Sequence, residues 1–105
     1  MALKDKKFLV AGAGKSGIGS VNLLLKAGAD VVLTDENKDL DQDALYQKIY
    51  QETKIPLILG EVTEEQIKDF DLLVLSPGIS VNAPIARLFS EQGKPVWSEI
   101  ELAYQ

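Results

Sequence analysis

The chain has 105 residues, which is the size of one domain at roughly 100–200 residues per domain. It contains no histidine and no cysteine, which excludes Ser-His-Asp and Cys-His catalytic groups, zinc sites built from Cys or His, and disulfides. The net charge of −5 argues against nucleic acid as a partner, although the first 34 residues carry five lysines against two acids.

Strand-like and helix-like segments alternate along the chain. Five short apolar runs are typical of buried parallel strands, and helical spacing or helix-cap residues predict a helix after each run. In chain order the prediction is strand 8–11, helix 16–27, strand 30–34, a helix from Asp41 or Asp43 that ends before Ile55-Pro56, strand 57–59, a helix from Thr63, strand 71–75, a helix from Pro84 to Gly93, strand 95–97 and a helix from Ser98.

This alternation predicts an α/β fold with a parallel sheet and helices on both faces. Right-handed crossovers favour the Rossmann-like strand order 3-2-1-4-5. Ligands on such sheets bind beyond the carboxyl ends of the strands, at the point where the strand order reverses. We therefore expect a site at residues 12–17, 35–37 and 76–79.

A glycine-rich loop follows the first strand and opens the first helix. Gly12, Gly14 and Gly17 fit the pattern G-x-G-x-x-G, in which the first glycine allows a tight turn. The second lets the backbone approach phosphates, and the third lets the helix pack on the strand. Lys15 adds a positive charge and Ser16 a hydroxyl at the helix N-terminus, where anions are favoured. A tight turn without a ligand is the alternative.

Two further loops complete the predicted site. Asp35 ends the second strand, where nucleotide-binding domains place an acid against a ribose, although a turn aspartate before a helix is the alternative. Ser76, Pro77 and Gly78 follow the fourth strand, and Gly78 permits close backbone approach or a positive φ. An ordinary β-α loop explains this segment equally well.

Two other motifs fail on their spacing. A P-loop ending at Ser16 needs glycine where Leu9 stands, and a calcium loop starting at Asp35 needs glycine and glutamate where Leu40 and Tyr46 stand. We therefore expect no metal site.

The segment before Phe8 lacks the apolar core of a signal peptide, and no apolar run approaches the ~18 residues of a membrane span, so we expect a cytoplasmic domain without membrane contact.

Four segments occur together in the order and spacing of one family of ligases: 10–17, Asp35, 75–79 and 98–102. In these segments the chain resembles the N-terminal domain of the Mur ligases, most of all the members that add D-glutamate. The resemblance runs from about Lys7 to the end of the chain. It implies that residues 1–105 form a single UDP-substrate-binding N-terminal domain, a fragment from which the ATP-binding central and C-terminal domains are absent.

The resemblance also implies a substrate and a reaction. In this family ATP and Mg²⁺ activate the carboxylate of UDP-N-acetylmuramoyl-L-alanine, and the amine of D-glutamate attacks it, in peptidoglycan biosynthesis. The N-terminal domain holds the UDP end of the precursor. By resemblance this domain has no cofactor and no catalytic residue of its own. ATP and Mg²⁺ would serve the full-length enzyme, in which D-glutamate and ATP bind the other domains. The protein would be a monomer.

The residue roles that the resemblance implies lie in the three predicted loops. Lys15 and Ser16 would face the diphosphate, with Ser16 standing where the family commonly has threonine. Gly78 would approach a phosphate through its backbone. Asp35, with Glu36 and Asn37 behind it, would meet the uracil or the ribose. The alternative is an NAD(P)-binding Rossmann domain of a dehydrogenase or regulatory protein, which explains the glycines and Asp35 but not the segments 76–79 and 98–102.

Overall fold

Strands and helices alternate without interruption in the computed structural model, which describes residues 2–105. The strands are β1 (Lys7–Ala11), β2 (Asp30–Asp35), β3 (Leu57–Leu59), β4 (Leu72–Leu75) and β5 (Val96–Ser98). The helices are α1 (Lys15–Lys26), α2 (Gln42–Lys48), α3 (Glu64–Ile67), α4 (Pro84–Glu91) and α5 (Glu99–Ala103), and 3₁₀ turns cover Leu3–Asp5 and Tyr50–Glu52. The predicted sequence of elements is therefore confirmed.

All five strands lie in one parallel sheet of order β3-β2-β1-β4-β5, as predicted. The central strand β1 pairs with β2 on one side and β4 on the other, so that Phe8 lies between Val31 and Leu72. The chain runs from β1 through β2 to β3 at one edge of the sheet and then crosses to β4 and β5 on the other side of β1. The strand order therefore reverses between β1 and β4, which is the place at the carboxyl edge where such sheets bind ligands.

Two apolar cores cover the two faces of the sheet. Phe8 and Val10 of β1 point to one face, where they pack with residues of α1, α2 and α5. Leu9 and Ala11 point to the other face, where they pack with residues of α3 and α4. All four of these side chains are buried because the alternate residues of a central parallel strand are covered on both sides. The predicted two-sided arrangement of the helices is confirmed.

Side-chain caps fix the start of three helices. Asp41, rather than Asp43, accepts the cap hydrogen bond of α2 from the Ala44 N–H. Thr63 and Ser98 begin α3 and α5 with complete capping boxes, in which each hydroxyl accepts from the third helical residue. These caps satisfy amide groups that the first turn of a helix leaves unpaired.

The helix α2 ends earlier than its predicted limit at Ile55-Pro56. Its last residue is Lys48, and Ile49 already has extended backbone angles. A 3₁₀ turn with positive φ at Gln51 and Glu52 then redirects the chain toward β3. Both Ile49 and Ile55 are buried in the core that also holds α1.

Candidate functional site

The glycine-rich loop begins with a turn that requires glycine at residue 12. Gly12 has a φ of +100°, and its N–H donates to the carbonyl oxygen of Thr34 over 2.8 Å. A Cβ atom at this position would lie 2.8 Å from Oγ of Ser76. Both the backbone angle and the crowding therefore exclude a side chain, as the predicted tight turn requires.

The other two glycines of the loop differ in their surroundings. A Cβ atom at Gly17 would lie 1.6 Å from the carbonyl oxygen of Gly12, so the start of α1 packs directly on the loop. Gly14 has no atom within 4 Å of such a Cβ position, and its backbone faces open space. The predicted close packing at the third glycine is confirmed, and the second glycine leaves the backbone accessible to a ligand.

The N-terminus of α1 offers unpaired donors to this open space. Its N-cap residue is Gly14, which makes no side-chain cap hydrogen bond, and α4 likewise has none, whereas α2, α3 and α5 each have a capping side chain. The amide groups of Lys15, Ser16 and Gly17 lie in the first turn, where they have no partner within the helix. The side chain of Lys15 is exposed and that of Ser16 is half-buried. Partial positive charge at the helix N-terminus and the ammonium group together favour an anion.

The end of β2 is tied to the glycine loop through Asp35. Oδ2 of this half-buried carboxylate accepts a hydrogen bond from the Ala13 N–H over 2.8 Å, and Oδ1 accepts from the Asn37 N–H over 2.9 Å. Glu36 is exposed and lines the cleft. The side chain of Asn37 instead accepts from the Asp39 N–H over 3.0 Å and is not on the cleft wall, so the structure does not bring it together with the other predicted residues.

The loop after β4 closes against the glycine loop. The Ser76 N–H donates to the carbonyl oxygen of Ala11 over 3.1 Å, and its Oγ donates to the carbonyl oxygen of Gly12 over 3.3 Å. Pro77 and Gly78 are exposed at the cleft. Of the two properties predicted for Gly78, only the open backbone is present, because its φ is not positive and no atom lies within 4 Å of a Cβ position.

These loops surround one cleft of about 1130 Å³ at the carboxyl edge of the sheet. Ten of the eleven predicted site residues line it. Several other wall residues, which follow β3 or lead into α4, were not predicted from the sequence. The wall consists of residues 11–17, 34–36, 60–62, 76–80 and 83–85.

The missed part of the wall gives the cleft an apolar side. Val62 and Ile85 are half-buried there, together with Ile79 of the predicted segment 76–79, and all three also pack against the core beneath α3 and α4. The position of Gly60 on the cleft wall could have been predicted, because strand order 3-2-1-4-5 puts the end of β3 at the same sheet edge as Asp35. In the structure the Gly60 N–H donates to the Asp35 carbonyl oxygen over 2.8 Å. Nothing in the local pattern indicated that the start of α4 would reach the cleft.

The charges on the cleft wall are unevenly distributed. In the part of the chain that the structure describes, Lys15 is the one cationic side chain on the wall, and Asp35, Glu36 and Glu61 carry its carboxylates. Between residues 2 and 105 no group of three or more His, Cys, Asp or Glu side chains could hold a metal ion. The helices of the same segment are too short or too polar to cross a membrane.

The strand order and the glycine loop at its switch point define the chain as a Rossmann-like α/β domain. A family model described as Mur ligase MurD-like, N-terminal domain, matches residues 6–98, and the chain belongs to this family.

Curated relatives agree with this assignment. The chain is 46% identical over 104 residues to a UDP-N-acetylmuramoylalanine–D-glutamate ligase from Lachnospira eligens, and 36% identical to one from Lachnoclostridium phytofermentans. Each match covers 99% of this chain and 23% of the relative. The chain therefore spans about a quarter of the length of these relatives.

Solved structures share the fold at low sequence identity. A pseudomurein peptide ligase type C from Methanothermus fervidus matches 95% of the chain and 20% of its own, with a TM-score of 0.74 and 22% identity. The UDP-N-acetylmuramate-alanine ligase MurC from Thermotoga maritima matches 92% of the chain and 21% of its own, with a TM-score of 0.66 and 18% identity. Shikimate dehydrogenase from Aquifex aeolicus, at 20% identity, matches 93% of the chain and 44% of its own with a TM-score of 0.56.

Proposed function

We propose that this chain is the UDP-binding domain of an ATP-dependent ligase that adds D-glutamate to UDP-N-acetylmuramoyl-L-alanine in peptidoglycan biosynthesis. The observation that carries the proposal is the uncapped N-terminus of α1, which faces an open cleft beside Lys15 in a chain of the MurD-like family. A helix start with free amides and a lysine suits a diphosphate, the most strongly charged part of the precursor.

The cleft has two ends of different chemistry, which orients the ligand. The diphosphate lies against the amides of residues 14–17, with the Lys15 ammonium, the Ser16 hydroxyl and the backbone of Gly78 around it. The nucleoside lies toward the tip of β2, where the Asp35 and Glu36 carboxylates accept hydrogen bonds from uracil or ribose donors. Asn37 would have to leave its bond to the Asp39 amide before its side chain reached this ligand.

The chemical step belongs to other parts of the full-length enzyme in this proposal. Relatives are about four times longer than this chain, and we assign their ATP, Mg²⁺ and D-glutamate sites to central and C-terminal domains. ATP supplies the activation of the precursor's carboxylate when it is bound there. Residues 1–105 supply binding and orientation of the UDP end and no catalytic residue. The full-length enzyme would act as a monomer in the cytoplasm, where ATP is available.

Isothermal titration calorimetry of the chain with four ligands tests the binding proposal. We expect heat of binding from UDP and UDP-N-acetylmuramoyl-L-alanine, and weaker binding of ADP, which has the same diphosphate but a different base. NAD is the decisive competitor, because a dehydrogenase-like domain would place Asp35 on its adenosine ribose. Tighter binding of NAD than of either UDP ligand would contradict the proposal and favour the dinucleotide-binding alternative.

The domain arrangement is tested at the level of the gene. A G-x-x-G-K-[ST] loop encoded shortly after Gln105 would supply the phosphate-binding loop that an ATP-dependent ligase needs. A stop codon directly after Gln105, with no such loop elsewhere in the reading frame, would contradict the assignment of an ATP site to the same polypeptide.

A further inference from the structure

Asp35 holds two backbone amides that belong to different segments. Its Oδ2 accepts from the Ala13 N–H in the glycine loop, and its Oδ1 accepts from the Asn37 N–H in the turn after β2. We propose that Asp35 is a positioning residue that fixes the glycine loop in the shape that receives the diphosphate. This inference rests on the proposed function and assigns to Asp35 a role beyond contact with the nucleoside.

The loop needs such a tether because it has little other structure of its own. Residues 12–14 lie between β1 and α1, and two of the three are glycines, which lose the most conformational freedom when they are ordered. Gly12 is held by the Thr34 carbonyl oxygen and by Ser76, whereas Ala13 is held by Asp35. Ordering the loop before the ligand arrives avoids that entropy cost at binding.

The position of Asp35 has a second consequence, because a carboxylate stands beside an anion site. By Coulomb's law alone, removing this negative charge should strengthen the binding of diphosphate. Removing the tether should weaken it, since the loop then becomes disordered in the free protein. The two effects have opposite signs, so the direction of the change in affinity separates them.

The variant Asp35→Asn tests the direction of the change in affinity for diphosphate. The variant keeps the size of the side chain but presents an NH₂ group to one of the two amide donors, so one hydrogen bond is lost. We expect the affinity for inorganic diphosphate, measured by calorimetry, to fall about tenfold, as for the loss of one charge-assisted bond. Glu61→Gln is the matched control, because Glu61 lines the same cleft and makes no hydrogen bond among the described residues. Its diphosphate affinity should stay constant or rise.

A second variant, Asp35→Glu, keeps the negative charge and changes the length of the side chain. Asp35→Glu is longer by one methylene group and cannot place its oxygens on both amides at their present positions, so diphosphate binding should again weaken. A purely Coulombic role predicts no change for Asp35→Glu and tighter binding for Asp35→Asn, and that pair of results would overturn the inference. Thermal unfolding of each variant checks that it is folded.

Amide hydrogen exchange tests the hydrogen bond between the Ala13 N–H and Asp35 in the absence of any ligand. In the free protein the Ala13 amide should exchange about tenfold faster in Asp35→Ala, which has no side-chain acceptor, than in the unmodified chain, while the Gly12 amide, bonded to Thr34, should change less. Unaltered exchange at Ala13 would overturn the tether. If the unmodified chain bound neither UDP nor diphosphate but Ala13 exchange still responded, the tether would stand and the proposed function would fall.

Discussion

Among residues 2–105, the formal positive charge on the cleft wall is carried by Lys15 alone. Lys15 is the first residue of α1, and its exposed ammonium group is free to move toward a ligand. The neighbouring carboxylates of Asp35, Glu36 and Glu61 carry the opposite charge. The proposed binding of a diphosphate therefore relies on Lys15 and the α1 amides against a local excess of negative charge.

Reversal of the charge at residue 15 should weaken UDP binding. Lys15→Glu replaces an attraction by a repulsion, and in a solvent-exposed setting we expect a loss of about tenfold in affinity. Calorimetry with UDP measures the change. Lys4→Glu is the matched control, because it makes the same charge change at an exposed residue before β1, at the opposite edge of the sheet. Equal losses in the two variants would mean that the phosphates do not lie against residue 15.

At the residue scale, the sequence predicted most of the loop residues that line the cleft, with Asn37 as the exception, but not their hydrogen-bond partners. The spacing between the glycine loop and Asp35 placed them at one edge because adjacent parallel strands end together. The bond from the Ala13 amide to Asp35, and the turn in which Asn37 accepts from Asp39, depend on loop conformations. Loop angles are set by tertiary contacts that a single sequence pattern does not contain.

The helix α1 depends on contact with the loop before it as well as on the core. Its buried residues Ile18, Val21 and Leu24 face the sheet, and Gly17 touches the loop directly. By leaving its N-terminus without a side-chain cap, the protein forgoes about 1 kcal/mol of helix stability that a cap supplies elsewhere. The unpaired amides that result are the groups proposed to bind the ligand.

Two glycines in α1 should respond to alanine in opposite ways. Gly17→Ala would drive a Cβ atom into the Gly12 carbonyl oxygen, so we expect a loss of about 3 kcal/mol in the free energy of unfolding. Gly19→Ala meets no atom within 4 Å and should add roughly 0.5–1 kcal/mol through helix propensity. Urea unfolding measures both variants. Similar changes in the two would contradict the close packing of α1 on the loop.

At the element scale, prediction from sequence succeeded where burial alone decides. The strands were recognisable because their residues are apolar on both faces, and Thr63 and Ser98 begin their helices as their capping boxes indicate. The early end of α2 and the approach of Pro84 to the cleft were not recognisable. They depend on where a crossover lands relative to the twisted sheet, which local propensity does not determine.

For the whole molecule, most of the positive charge of the first third lies away from the cleft. Of its five lysines, Lys4, Lys6 and Lys7 are at the start of β1, and Lys26 lies over the Tyr50 ring at the far end of α1. The net charge of the chain is −5. An anionic ligand therefore approaches a molecule of like net charge, and at the cleft it meets the attraction of Lys15 and the α1 N-terminus.

Salt should consequently speed the association of UDP. Long-range repulsion between like charges is screened within a Debye length of about 10 Å at 0.1 M ionic strength, whereas contacts in the cleft act at shorter range. Between 20 and 200 mM NaCl we expect the association rate constant, measured by surface plasmon resonance on the immobilised chain, to rise by roughly twofold or more. Uridine, which is uncharged, should show no such dependence. Slower association of UDP at high salt would mean that the field of Lys15 and the α1 N-terminus governs the approach rather than the net charge.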